Sequence, residues 1–257
     1  MRLKGKAIIV TGSTTGIGEA IARRSAAEGA SILVHGRDPK RGGQVAASIG
    51  PDVVLHVDDL ADPDAPQRLV DAAVERFGRL DAVVNNAAML TRSNLQTTDA
   101  AFFDRVAAIN LRAPLLLIRA AVEQLKKTRG CVLNIGSVNG YCGEANLLGY
   151  SVTKGGLMTM SRNLADALGR DGVRVTHFNV GWVLTPNEYQ LKIDEGQDEN
   201  WPDHVPATFA PSGRILDPNH IASAAVYWLS DESRPVSGSV VELEQYPIVG
   251  RNPMKEE

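Results

Sequence analysis

The chain has 257 residues, 44% of them hydrophobic and 22% charged, enough for one large α/β domain with a substantial core. Its net charge of −3 gives no electrostatic reason to expect nucleic acid or an anionic membrane as partner, so a small-molecule ligand is expected. The longest purely aliphatic run, residues 115–118, falls far short of the ~18 residues that span a bilayer.

The chain begins with basic residues, and the apolar run Ala7–Val10 stops at Thr11-Gly12, too short for the core of a secretion signal. It reads instead as a first strand, continuously apolar as a strand covered on both faces should be. Then come Thr11-Gly12-Ser13-Thr14-Thr15-Gly16-Ile17-Gly18 and a helix-like stretch over 19–28. Glycines here allow a tight turn and close backbone approach, and the amides opening the helix can hold a pyrophosphate. A glycine-rich turn between first strand and first helix is the context dinucleotide binding requires.

Further β-branched runs lie at 31–35, 53–57, 81–84, 132–135, 174–178 and 239–243, separated by longer helical segments. Strands alternating with helices imply right-handed crossovers and a parallel sheet with helices on both faces. The expected fold is thus α/β: a single Rossmann-type domain over residues 1–257, with a doubly wound parallel sheet of seven strands. The second run ends at His35-Gly36-Arg37, where Arg37 could grip a phosphate bidentately. Cys131 and Cys142 have neither metal-ligand spacing nor a disulfide framework around them. No metal is expected, and a reducing cytoplasm is the expected compartment.

Long helices are expected at about 99–127 and 150–168. The second opens Tyr150-Ser151-Val152-Thr153-Lys154, and a four-residue separation puts phenol and ammonium on one helix face, a turn apart. A free tyrosine titrates near ~10, and lowering that by about three units takes roughly 4 kcal/mol, which a close ammonium and a cationic nicotinamide could supply. An ordinary surface pair is the competing reading. Residues 182–214 break the rhythm with Pro186, Pro202, Pro206, Pro211, Gly196 and Gly213 and no long periodic segment. A substrate lid is expected there, with a plain surface excursion as the alternative.

Thr-Gly-x-x-x-Gly-x-Gly at 11–18, Asn85-Asn86-Ala87, Ser137 and Tyr150-x-x-x-Lys154, in this order and across about the whole chain, resemble the short-chain dehydrogenase/reductase family. The resemblance implies a single domain with a seven-stranded parallel sheet that transfers hydride between a nicotinamide and a secondary alcohol or ketone. It implies that Gly12, Gly16, Ile17 and Gly18 border the pyrophosphate, that Asp59 and Leu60 contact the adenine, and that Asn86 and Ala87 line the cofactor. Gly36 stands where NAD-preferring members carry Asp, and with Arg37 this favours NADP over NAD. Thr15, counted among the cofactor contacts, stands where many NADP-using members carry a second basic residue. The segment Asn179-Val180-Gly181-Trp182-Val183-Leu184-Thr185 resembles the family's Asn-Pro-Gly-x-x-x-Thr, so Val183 and Thr185 are expected at the carboxamide. Val180 replaces the proline, and a looser turn is the expected cost.

The resemblance also implies a catalytic tetrad. Tyr150 exchanges the substrate proton, and Ser137 hydrogen-bonds the same oxygen. Lys154 lowers the tyrosine pKa and holds the nicotinamide ribose, while Asn110 positions a water that links the lysine to solvent. Pocket residues should come from beyond Ser137 and from the lid, with Asn139, Glu144, Trp182 and Asn187 as substrate contacts. Amides, carboxylates and aromatics together suit a sugar, sugar acid or polyol. The alternatives are a reductase of apolar ketones, with Leu147, Leu148, Val183 and Leu184 forming its pocket, or of 3-oxoacyl groups, although the acidic 182–214 segment would repel an acidic carrier protein. From another class, a dinucleotide-sensing protein without turnover would have no need of the full tetrad. A homotetramer or homodimer is expected through the two long helices, with Leu115, Leu116, Leu117, Leu157, Met158 and Met160 as interface residues and the tail after Gln245 against a neighbouring subunit.

Overall fold

Four central apolar residues, Ala7 to Val10, are at most 1% exposed, and burying an aliphatic side chain this completely contributes roughly 1.5–3 kcal/mol each. That is how so short a strand can hold the middle of a sheet. The computed structural model, which describes residues 1–249, pairs β1 (Ala7–Val10), β2 (Ser31–Gly36), β3 (Val53–Val57), β4 (Ala82–Asn85), β5 (Cys131–Ile135), β6 (Arg174–Val180) and β7 (Val240–Leu243) into one sheet of order β3-β2-β1-β4-β5-β6-β7. Every pairing is parallel. The winding reverses between β1 and β4, and a crevice forms at such a point beyond the carboxyl ends of the strands.

Side-chain alternation splits the core into two layers. Ile8 and Val10 pack with Ile21 and Ala22 of α1 (Gly16–Ala27), Val45 of α2 (Pro39–Ile49) and Ile221 and Val226 of α9 (Pro218–Leu229). Ile9 and Val83 pack on the other face with Leu69 of α3 (Ala65–Phe77) and Leu117 and Leu125 of α5 (Ala113–Thr128). Short polar caps start several helices: Asp38 accepts from the amides of Lys40 and Arg41 ahead of α2, and Asp99 from Phe102 ahead of α4 (Ala100–Ala107).

Three local expectations change. The helix expected over 99–127 is broken by a π-turn, Ala108–Arg112, in which the Ala113 amide reaches back five residues to Ala108. Pro114 has no N–H to give the carbonyl of Asn110 four residues back, so the α ladder cannot run through this point. β6 runs on to Val180, which pairs with Leu243, where the sequence led us to expect the turn to have begun. Leu117 and Leu157, expected at a subunit interface, are each 1% exposed core residues, whereas Leu115 is 44% exposed.

Residues 182–214 contain a helix that periodicity misses, α8 (Pro186–Asp194), and a 3-10 turn, Trp201–His204. Its signal was at its start: the Thr185 hydroxyl accepts from the Glu188 amide at 3.1 Å, with Pro186 in the first turn. This segment has its own apolar cluster, Trp201, Ala210 and Ile215, covered by Trp182, Leu184, Tyr189, Ile193 and Val205. Trp182 and Trp201 stack with ring centroids 5.6 Å apart. The tail beyond Gln245, expected against a neighbour, lies from Gly250 onward outside the described residues.

Trp201→Ala should cost this cluster about 3–5 kcal/mol. Hydrogen exchange should then rise across 186–205 while the sheet amides keep their protection; uniform loss of protection would mean that the cluster is not a separate unit.

Candidate active site

The turn after β1 is held from three sides. Thr11 Oγ1 accepts from the amides of Asn86 at 3.0 Å and Ala87 at 3.1 Å, while Asn86 Nδ2 donates to the carbonyls of Thr11 at 2.9 Å and Gly12 at 3.1 Å. The Gly12 amide donates to His35 Nδ1 at 3.2 Å, and burial pushes this imidazole down to about 4, so that it stays neutral and can accept. Gly12 has φ +62, and a Cβ there would sit 2.8 Å from Ala87 Cα; a Cβ on Gly18 would overlap the Asn86 amide. The turn is therefore closed against side chains. Ile17 packs on the core beneath it, and Thr15 opens α1 without a side-chain capping bond, leaving its hydroxyl available.

Around the far end of this turn, Asp59 accepts from the Ala61 amide at 3.0 Å and from Arg105 at 2.7 Å, while Leu60 is 6% exposed and packs in the core. Asp58 instead takes a bidentate bond from Arg68, which holds its carboxyl at about 2. A Cβ on Gly36 would meet Thr14 Cγ2 at 2.5 Å and Oγ1 at 2.8 Å, so an acidic side chain has no room there. Arg37 is exposed. Thr185 folds back over the turn, with a Cβ on Gly16 falling 3.2 Å from its methyl. Val183 is 6% exposed, packed in the core and bridged to Leu216, which leaves only its backbone for a ligand.

At the other end of the crevice, α7 (Leu148–Gly169) carries Tyr150 and Lys154. Lys154 is 3% exposed. Its Nζ donates to the carbonyl of Ile135 at 2.6 Å and lies 5.5 Å from the Tyr150 ring centroid. Burial brings its pKa down to about 8. The Tyr150 phenol is pushed up to about 12 by burial, against a lowering hydrogen bond with Ser137, and the Glu188 and Glu144 carboxylates add to the rise. The ammonium thus lies over the Tyr150 ring while anchored to the carbonyl that ends β5.

Asn110 leaves the π-turn and is 1% exposed. Its Oδ1 accepts from the Met89 amide at 2.7 Å, and its Nδ2 donates to the Met89 carbonyl at 3.0 Å and to Thr153 at 3.2 Å. The side chain clamps the loop after β4 to α7 beside Lys154.

Above Tyr150, Asn139 opens the short helix α6 (Asn139–Cys142); its amide donates to Ser137 Oγ at 3.2 Å and its side chain to Glu144 at 3.1 Å. Trp182 Nε1 donates to Glu188 at 2.8 Å, and the Trp182 amide donates to Glu244 at 2.9 Å. Arg92, which sequence reasoning missed, bonds Glu195 at 2.8 Å and lies 4.0 Å from Glu144, joining the loop after β4 to the 182–214 segment. Asn187, in the first turn of α8, lines a recess with Thr14, Thr15, Arg41 and Gln190. Among the described residues no group of three or more His, Cys, Asp or Glu could hold a metal, and no helix is long and apolar enough to cross a membrane.

The family described as Enoyl-(Acyl carrier protein) reductase matches residues 12–244, which hold six of the seven strands and every group above except Thr11. The chain belongs to the short-chain dehydrogenase/reductase family. It is 35% identical over 244 residues to an NADP-dependent (R)-specific alcohol dehydrogenase of Lentilactobacillus kefiri, covering 93% of this chain and 94% of that one. It is 33% identical to an L-rhamnose-1-dehydrogenase of Scheffersomyces stipitis, covering 92% and 93%. A crystal structure of 3-ketoacyl-(acyl-carrier-protein) reductase from Brucella melitensis complexed with NADH superposes with a TM-score of 0.82 at 27% identity, covering 93% of this chain and 97% of that one. This short-chain enzyme is an oxidoreductase that uses a nicotinamide cofactor, and its glycine turn fits a dinucleotide backbone because nothing larger than hydrogen is tolerated at positions 12 and 18.

Gly12→Ala should weaken nicotinamide dinucleotide binding by about tenfold or more, equivalent to ~1.4 kcal/mol, in a fluorescence titration. Unchanged affinity would mean the turn relaxes around a Cβ.

Proposed function

We propose that this enzyme interconverts a secondary alcohol and its ketone on a polyhydroxylated compound: a sugar, sugar acid or polyol. The observation that carries the reading is the polar lining that starts at Ser137: Asn139 bonds Ser137 Oγ and Glu144, Trp182 bonds Glu188, and both carboxylates act on the Tyr150 phenol. Carboxylates and amides placed this way accept from and donate to substrate hydroxyls. An apolar ketone would return none of these bonds. The L-rhamnose-1-dehydrogenase relative supports the sugar assignment.

The nicotinamide accepts or supplies the hydride. Tyr150 takes the hydroxyl proton in oxidation or donates it in reduction, with Ser137 hydrogen-bonded to the same oxygen. Lys154 holds positive charge beside the phenol and is itself held by Ile135. Asn110 fixes the frame around that lysine. Residues 182–214 act as a lid over the substrate, joined to the body through Arg92 and Glu195. NADP is the proposed cofactor: Gly36 excludes an acid, and Arg37, with Arg41 54% exposed nearby, provides cations for a 2′-phosphate. We place the enzyme in the cytoplasm as a homotetramer or homodimer, a reading supported by Leu115 and by Val152, 52% exposed, on the outer faces of α5 and α7.

The test is cofactor reduction with NADP or NAD against L-rhamnose, L-fucose, 2,3-butanediol, 2-octanol and an apolar cyclic alcohol, with ketoacyl thioesters assayed in reverse. Sugar or polyol turnover that falls by about 10²–10⁴-fold in Tyr150→Phe is expected; turnover of apolar alcohols or thioesters alone would reject the substrate class. Tight cofactor binding with no turnover of any compound would favour a dinucleotide sensor.

A phenol raised to about 12 is protonated at neutral pH, which suits it as an acid. Reduction should therefore stay level from about pH 6 to about pH 8, while alcohol oxidation, which needs the phenolate, should climb with pH. Oxidation that falls over the same range would contradict this assignment.

A further inference from the structure

Behind the reacting groups runs a row of five buried polar side chains. Asn85 on β4 donates to Asn134 Oδ1 on β5 at 2.7 Å, and Asn134 donates to Ser161 on α7 at 2.8 Å. Ser161 Oγ lies 3.0 Å from His177 Nδ1 on β6, and His177 Nε2 lies 2.9 Å from Asn179 Oδ1. None of the five is more than 4% exposed. Leaving one such group unpaired would cost about 1–3 kcal/mol, so the row has to be kept whole. It is unsuited to moving protons, since carboxamides do not relay them at neutral pH; what it can do is fix geometry.

His177 is the member that reaches the site. Its ring lies against Gly136, where a Cβ would overlap Nε2, and the Gly136 amide donates to the carbonyl of Phe178 at 2.7 Å. On one side of Gly136 is Ile135, whose carbonyl takes the Lys154 ammonium. On the other is Ser137, which bonds Tyr150.

We propose that His177 is a positioning residue for hydride transfer: held at both ring nitrogens, it backs residues 135–137 and so sets where the Lys154 ammonium and the Ser137 hydroxyl stand relative to the Tyr150 phenol. The proposal rests on the oxidoreductase reading above. The charged groups that face this region are Lys154 and Arg162 around His177, and Glu144 and Glu188 around Tyr150. Burial, partly offset by the Asn179 hydrogen bond and reinforced by the two cations, brings His177 down to about 4. The ring is neutral at working pH and adds no charge of its own. Its effect on the phenol is therefore transmitted through the Ile135 carbonyl and the lysine it holds.

The experiment compares the wild type with His177→Ala and Ser161→Ala in alcohol oxidation, using whichever of L-rhamnose, L-fucose and 2,3-butanediol the wild type turns over. Circular dichroism first establishes that each variant is folded. If residues 135–137 shift, the ammonium is less well held, the phenolate loses support and the tyrosine pKa rises. We expect kcat of His177→Ala to fall about tenfold at neutral pH, the KM for cofactor to stay within about twofold, and the acid limb of the kcat profile to move up by about one pH unit. Ser161→Ala, which removes only the partner of Nδ1, should shift the limb the same way by less, and it decides the matter if His177→Ala does not fold. A folded variant with wild-type kcat and an unmoved acid limb, even with a lowered Tm, would make His177 merely structural and overturn the proposal. Absence of wild-type turnover with all three would overturn the proposed substrate class instead, and the same two variants would then decide the role of His177 on 2-octanol or the apolar cyclic alcohol.

Discussion

Burying an ammonium costs several kcal/mol unless hydrogen bonds and favourable charge offset it, and the reacting end is organised around meeting that cost for Lys154. The Ile135 carbonyl takes one proton at 2.6 Å, and the Tyr150 ring presents its face 5.5 Å away. Because the carbonyl ends β5 and the lysine rises from α7, one bond fixes the helix to the sheet at the level of the chemistry. The loop after β4 is brought to the same place by Asn110, which reaches it through Met89 and reaches α7 through Thr153.

The dinucleotide end solves a different problem, since it has to present bare backbone to a ligand without collapsing. Thr11 and Asn86 do this by exchanging bonds between the turn after β1 and the loop after β4. These are the two strands where the winding of the sheet reverses, so the crevice is opened by topology and held open by four short hydrogen bonds. His35 steadies the same turn from β2, and its low pKa keeps it in the accepting form throughout the neutral range.

The later segments of the chain, proposed above to cover the substrate, pack partly among themselves. The stacked Trp182 and Trp201 give residues 182–214 an apolar centre separate from both layers of the main core. Arg92 and Lys192 hold Glu195, whose carboxyl they keep at about 2, so the tie across the mouth persists throughout the range in which the enzyme would work. Under the proposed function, the chemistry could remain constant while the loops beyond Ser137 and Gly181 set which alcohol is accepted.

Much of this was legible in the sequence. Seven apolar runs marked seven strands because strands buried on both faces have little choice of composition, and glycines 12, 16 and 18 marked the turn because their φ angles or close neighbours admit no side chain. Tyr150 and Lys154 share a helix face by periodicity alone. What spacing could not reveal were contacts between residues far apart in the chain: Asn110 with Met89 and Thr153, Arg92 with Glu195, and His177 with Ser161. Nor could spacing show that Asn187 shares a recess with Thr14 and Thr15, and Leu157 looked like interface until α7 turned it inward. The sequence by itself determined the elements, their order and the reactive groups, since these follow from local periodicity and side-chain chemistry. Only the tertiary structure decided which carbonyl holds the lysine and which side chains meet around the tyrosine, because those depend on burial and distance between separate elements.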